Sequence, residues 1–231
     1  MKIDPRLIHV KFLKRYKRFF SDVILNKKKI TVHCPNSGSM LGLLNENNDA
    51  WISKSSNPNR KLKFTLEIIN DKKSNVGVNT HRANRIVEEA LNNSKITELK
   101  EFLSIKREAV FSKRTRFDFL LENKSRKAFL EVKNVTLSRK KNISEFPDAV
   151  TSRGKKHLAH LQSAIELGYK AYLLFLIQRE DIKIMKIASD IDIDYFNEIK
   201  KAKKKGVKIL AYSCKVKDNE ITINKKIKIM I

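Results

Sequence analysis

Only two cysteines, Cys34 and Cys214, occur among the 231 residues, far apart and with no C-x-x-C spacing. That excludes a disulfide framework and a zinc knuckle, and both thiols are expected in a core. Long apolar runs are missing too. The longest clean one, Ala171 to Ile177, has the length of a buried strand and falls far short of the ~20 residues of a membrane span. The opening Met-Lys-Ile-Asp-Pro-Arg carries no apolar h-region or cleavage site, so a cytoplasmic protein is expected. No Rossmann or P-loop glycine string is present, which leaves nucleotide-cofactor chemistry without support. There is no internal repeat and no long flexible linker. Acids are the last shortage: 25 Asp and Glu face 50 Lys and Arg, a formal charge of +25. A folded domain so charged attracts polyanions, nucleic acid first and an anionic membrane surface as the rival. The plainer reading of the charge is a general bias toward Lys, Asn and Ile.

What is present is enough for a packed interior: 41% hydrophobic residues and twelve Phe. Two domains are expected, 1–78 and 79–231. In the first, Ile8, Val10 and Phe12 alternate with polar neighbours, Val23 to Leu25 and Ile30 to Cys34 flank a turn at Asn26 to Lys29, and Leu62 to Ile68 alternates again. A small, partly open β barrel of the oligonucleotide-binding (OB) type suits that count, with turn-rich stretches at His33 to Gly42 and Ser53 to Arg60. After Gly77 the texture changes. Asn84 to Leu91 reads as a helix, strands follow near Ile105 to Phe111, Arg116 to Leu121 and Ala128 to Lys133, then a helix from about Ser152 to Leu167 and the strand Ala171 to Ile177. The order is α-β-β-β-α-β. Gly168 stands where a left-handed helix cap is expected. A helix near Tyr195 to Lys205, a strand Val207 to Tyr212 and a terminal hairpin near Ile221 to Ile231 complete the chain.

The chemistry sits on the central hairpin, as Asp118-x12-Glu131-x-Lys133. Side chains alternate along a strand, so Glu131 and Lys133 project from one face, and the neighbouring strand can bring Asp118 beside them. Two carboxylates suit a hard cation such as Mg2+, which takes one or two protein carboxylates plus phosphate oxygens and water. Lys133 is then placed to orient the attacking water or to neutralise charge growing on phosphorus oxygens. An acid and a lysine two apart on a strand are also common on solvated faces, so the surrounding elements must decide.

Those elements, with the strings Arg15-Tyr-Lys-Arg-Phe19, His33-Cys-Pro-Asn-Ser-Gly38, Val78-Asn-Thr80, Asn84-Arg85, Arg116-Phe-Asp-Phe119, Glu131-Val-Lys-Asn-Val-Thr-Leu137 and Phe146 to Leu158, resemble the sugar fermentation stimulation protein A family. The second domain resembles the restriction-endonuclease-like, or PD-(D/E)XK, fold. The resemblance implies an OB barrel, a nuclease-like domain and sequence-independent DNA binding. In nuclease-like folds a third acid comes from the first core helix. Glu88 and Glu89 are both available, and the family pattern favours Glu89, giving a metal set of Asp118, Glu131 and Glu89 and a catalytic set of Asp118, Glu131 and Lys133.

DNA contacts are expected from two regions. Lys14, Arg15, Tyr16, Lys17, Arg18 and Phe19 interleave cations with aromatics, as a surface that holds phosphates and stacks bases would. Asn36 and Ser37 can add amide and hydroxyl contacts or simply form a turn. At the start of the second long helix, Thr151, Ser152, Arg153, Lys155, Lys156 and His157 combine free N–H groups with positive charge. His157 and His160 share a face, but without a third ligand they make no zinc site. Asp148 reads as a turn or cap residue with a metal-bound water as the alternative. Two functions remain open: a Mg2+-dependent DNA phosphodiesterase, or a DNA-binding regulatory factor of sugar metabolism that retains the fold without cleaving.

Overall fold

A computed structural model describes residues 1–3, 6–113 and 115–231; Asp4, Pro5 and Arg114 lie outside the described residues. The first half forms β1 (Ile8–Tyr16), β2 (Phe20–Leu25), β3 (Lys28–His33), β4 (Asp49–Lys54), β5 (Phe64–Asn70) and β6 (Asn75–Gly77). Period-two patterning drives it. Val10 and Phe12 turn inward between the exposed His9 and Lys11, joined by Val23, Val32, Ile52 and Leu66. Burying each such side chain contributes about 1.5–3 kcal/mol. Asn26 and Lys27, both at positive φ, make the two-residue turn that pairs Leu25 with Lys28. The strands run in the order β3-β2-β1-β4-β5, and a parallel bridge from His33 to Thr65 closes the ring into a five-stranded OB barrel. The expected barrel is there, with β4 in a stretch where no strand was expected.

The second half comprises α1 (Ala83–Asn92), β7 (Ser104–Ser112), β8 (Thr115–Glu122), β9 (Lys127–Val135), β10 (Ile143–Phe146), α2 (Ser152–Glu166), β11 (Lys170–Ile177), β12 (Ile184–Ile187), α3 (Ile193–Lys204), β13 (Lys208–Lys217), β14 (Glu220–Lys226) and β15 (Lys228–Met230). Six strands form a mixed sheet, β14-β13-β11-β9-β8-β7, with β9, β11 and β13 parallel. The buried run of β11, apolar on both faces, is the signature of its central place. One face packs under α1 with Leu130, Val132, Tyr172 and Leu174, and the other under α2 and α3 with Phe129, Leu173, Phe175 and Tyr195. Gly168 ends α2 at φ +84, as its position predicted. The expected terminal hairpin does not form. β14 pairs with β13, while β15 leaves to join β12 and β10 in a separate three-stranded sheet.

The first residues of the chain reach the second domain's core: Met1, Ile3 and Leu7 are buried beside α1, and the Met1 ammonium donates to Ile221 O at 2.7 Å. Buried ions clamp the two halves together. Arg179, its side chain 1% exposed, pairs with Asp71 of the barrel at 2.8 Å and with Asp181 at 2.7 Å. Glu67 of β5 accepts from Arg82, Asn79 and Ser53. Asp148 accepts from Met40 N at 3.3 Å and lies against Gly38, where a β-carbon would come within 2.3 Å of its oxygen. It therefore fastens a barrel loop to the segment before α2, in line with the turn reading, while Thr151 caps α2.

Candidate active site

The last ladder pair between β8 and β9 is Phe119 with Leu130, and continuing that register sets Asp118 opposite Glu131. There the two strands part. The Val132 N–H donates to Asp118 Oδ2 at 2.7 Å instead of to a carbonyl, and Asn84 of α1 donates to Oδ1 at 2.7 Å. Glu131 remains bonded into the sheet on its other side, opposite Leu173 of β11. Its Oε1 accepts from Lys133 Nζ at 2.6 Å and contacts His157 Nδ1 of α2. The three expected residues thus converge, joined by Asn84 and His157.

The electrostatics are those of two acids forced together. Burial, with the Glu131 charge second, pushes the Asp118 carboxyl up to about 6. Burial also acts to raise Glu131, but His157 and Lys133 outweigh it and hold Glu131 below the ordinary glutamate range. A cavity of about 650 Å³ opens from this pair and is lined by Lys113, Arg116, Arg153, Lys156, His157 and His160 among others. A cation-rimmed mouth is electrostatically suited to an anion such as phosphate, and the two carboxylates beneath it offer oxygen ligands of the kind a hard cation takes.

The third acid is not where the sequence reading put it. Glu89 Oε1 accepts from the Met1 ammonium at 2.6 Å, and Glu88 accepts from Arg107 at 3.1 Å. Neither carboxylate lines the cavities that contain Asp118 and Glu131; α1 contributes Asn84 there instead. No cluster of three His, Cys, Asp or Glu side chains suited to a metal occurs among the described residues. The helix-borne partner was legible only as the string Asn84-Arg85. Glu108, at φ 48 on β7 and lining the same cavities, was missed because nothing local distinguishes it from its neighbours.

The expected nucleic-acid residues divide. Arg153, Lys156 and His157 line the cavity, whereas Lys155 pairs with Asp194 of α3 at 2.7 Å. Arg15 turns inward: its guanidinium donates to the carbonyls of Asn36 (2.5 Å), Arg18 (2.7 Å) and Gly38 (2.8 Å). Asn36 is buried and bonded to Val78 O and Gly38 N, so both residues brace the loop rather than face solvent. Ser37, Tyr16, Lys17 and Arg18 are exposed. Tyr16 stacks on Phe20 at 5.7 Å with the Lys14 amine 5.8 Å from its ring, and Phe19 stacks on His33 at 6.4 Å.

A closed OB barrel joined to a mixed α/β domain, whose central hairpin sets the half-buried Asp118 beside the buried Glu131, defines the class of protein. The family described as the sugar fermentation stimulation protein RE domain matches residues 81–220, and the SfsA N-terminal OB domain matches residues 13–78. The chain is 54% identical to the sugar fermentation stimulation protein homolog of Pelagibacter ubique (strain HTCC1062), over 100% of this chain and 99% of that one. It is 39% identical to the homolog of Maricaulis maris (strain MCS10), over 99% and 98%. The chain belongs to the sugar fermentation stimulation protein family. Among solved structures, Pyrococcus furiosus SfsA in complex with Ca2+ superposes with a TM-score of 0.91 over 100% of this chain and 98% of that one, at 22% identity, and shares the fold. Among the described residues no helix is long and apolar enough to cross a membrane.

Proposed function

We propose that this protein binds DNA without sequence preference and hydrolyses its phosphodiester bonds with a divalent cation, Mg2+, held by Asp118 and Glu131. The observation that carries the reading is the pair itself: the buried Glu131 and the half-buried Asp118 side by side at the floor of an open, cation-lined cavity. The donor set fits a hard cation. Both ligands are carboxylate oxygens, two is the number Mg2+ usually takes from protein, and phosphate and water fill the remainder. The Pyrococcus furiosus relative, described in complex with Ca2+, supports a divalent site in this fold.

When bound, the cation supplies positive charge to phosphate oxygens and favours ionisation of water. The chain's own groups do the rest. Asn84 and the Val132 amide fix the orientation of Asp118, and Lys133 and His157 do the same for Glu131. Lys133 also brings an amine to the position where charge builds on the phosphorus oxygens. Arg153, Lys156 and Arg116 at the rim hold neighbouring phosphates.

A second reading, a DNA-binding regulatory factor that does not cleave, is favoured by one contact: Lys133 forms a 2.6 Å ion pair with Glu131 within the site. Incubation of supercoiled plasmid with wild type, Asp118→Asn and Lys133→Ala, with and without Mg2+, separates the two. Metal-dependent nicking lost in both variants is the expected result. No nicking by wild type, or equal nicking by all three, removes the phosphodiesterase and leaves the binding protein.

A further inference from the structure

Phe19 is 44% exposed, and Tyr16 and Phe20 are each 36% exposed, three rings crowded at the tip of one barrel hairpin. An exposed aromatic is ordinary when single. Here Tyr16 stacks on Phe20 and Phe19 on His33, and Lys14, Lys17 and Arg18 flank them. Such rings suit an unpaired base, whose face is open, and not a duplex, whose base faces are covered by their neighbours.

Their placement adds a second observation. The recess beside Phe19 and His33 is walled by Thr80 and His81, and the same two residues wall the recess that holds Asn84, Asp118 and Glu131. That second recess shares Asp118, Glu131 and Arg153 with the large cation-lined cavity. The three share walls and run from Phe19 and His33, with the Tyr16–Phe20 pair on the same hairpin, across the junction between domains to the acid pair. The junction is bridged by the buried Arg179 and Glu67 clusters, which tie the barrel to the second domain.

We infer that the occupant of this track is single-stranded DNA, or the unpaired portion of a larger DNA, with bases stacked on Phe19 and Tyr16 while the same strand passes His81 to place a phosphate over Asp118 and Glu131. The inference rests on the DNA-binding reading above and narrows it to a strand class. A duplex can meet the cavity's cations, but only an unpaired strand uses both ends of the track.

Fluorescence anisotropy in EDTA, with the full chain, tests it. The probes are oligothymidylate of about twenty nucleotides, enough to span an OB site and more, a blunt hairpin duplex with the same number of phosphates, and oligouridylate. The single DNA strand is expected to bind most tightly. Phe19→Ala and Tyr16→Ala should each weaken it about fivefold or more, as the loss of one stacked base does, and leave duplex binding within about twofold, which also reports that the variants fold. Iododeoxyuridine placed along one oligonucleotide should crosslink to the Phe19 region and to His81 from different positions of the same strand. Equal affinity for strand and duplex, equal weakening of both by the aromatic variants, tighter binding of oligouridylate, or crosslinks confined to one domain would overturn it. Because EDTA removes cleavage from the measurement, a protein that binds the strand this way but never nicks loses only the phosphodiesterase assignment. One that nicks duplex without using the aromatics loses only this inference.

Discussion

Two regions of the molecule enclose carboxylates, and Asp118 is treated unlike those at the junction of the domains. At the junction of the domains, Glu67 is met by Arg82, Asn79 and Ser53, and Asp71 and Asp181 share Arg179. Each charge there has a fixed counter-charge within hydrogen-bond distance. At the parting of β8 and β9, Asp118 instead faces Glu131, its own bonds come from neutral donors, and its carboxyl is pushed up to about 6. A buried acid in a structural role is neutralised by its own chain. Asp118, left beside another acid at the floor of an open cavity, has no such counter-charge among the described residues, and the proposed cation would supply it.

The largest effect should come from breaking the junction. Arg179→Ala strands Asp71 and Asp181 and is expected to lower unfolding stability by about 3–5 kcal/mol in urea titrations. A loss under about 1 kcal/mol would show that the junction does not depend on this ion. Next is Asp118→Asn, which should act in the reverse sense at neutral pH. The folded carboxyl is raised above its ordinary value of 3.8, so the folded state keeps the proton longer. Wild-type stability therefore falls as pH rises from about 4 to about 6, by up to roughly 3 kcal/mol, and the Asn variant escapes that fall. Urea midpoints of both proteins in EDTA across pH 4–8 should diverge with rising pH; parallel curves would mean that folding does not raise the Asp118 carboxyl.

Smaller effects sharpen the division among the cations. Arg15→Ala should reduce stability by about 1–2 kcal/mol through lost bonds to carbonyls while leaving the salt dependence of DNA binding unchanged. Lys156→Ala should do the opposite: no change in stability, and a slope of log affinity against log salt lower by about 1. Smallest is Glu89→Gln. Its partner is the Met1 ammonium and its side chain is 44% exposed, so under about 1 kcal/mol is expected, with nicking intact. Lost nicking in Glu89→Gln would return this residue to the metal site.

How far the sequence could be read follows the range of the interactions. The barrel strands, α1, α2 and the β8–β9 hairpin were legible because alternation and helical spacing are local, and the same alternation brought Asp118, Glu131 and Lys133 together. The strand β4 was missed because Asp49-Ala-Trp-Ile-Ser-Lys buries only Ala50 and Ile52, too short a pattern to stand out. The terminal hairpin failed because β15 finds its partner in β12, some forty residues back, not in β14. Glu89 failed for the same reason: its partner is the far end of the chain. Arg15 and Asn36 look like surface contacts in sequence, and only the closed loop shows that they bond to each other's neighbourhood.

The central claim, that Asp118 and Glu131 form a site for a divalent cation, is tested most directly by titrating Mn2+ into wild type and Asp118→Asn in a calorimeter at pH 7.5. The predicted result is one site in wild type, weakened at least about tenfold in the variant. No binding by wild type, or equal binding by both proteins, would contradict it.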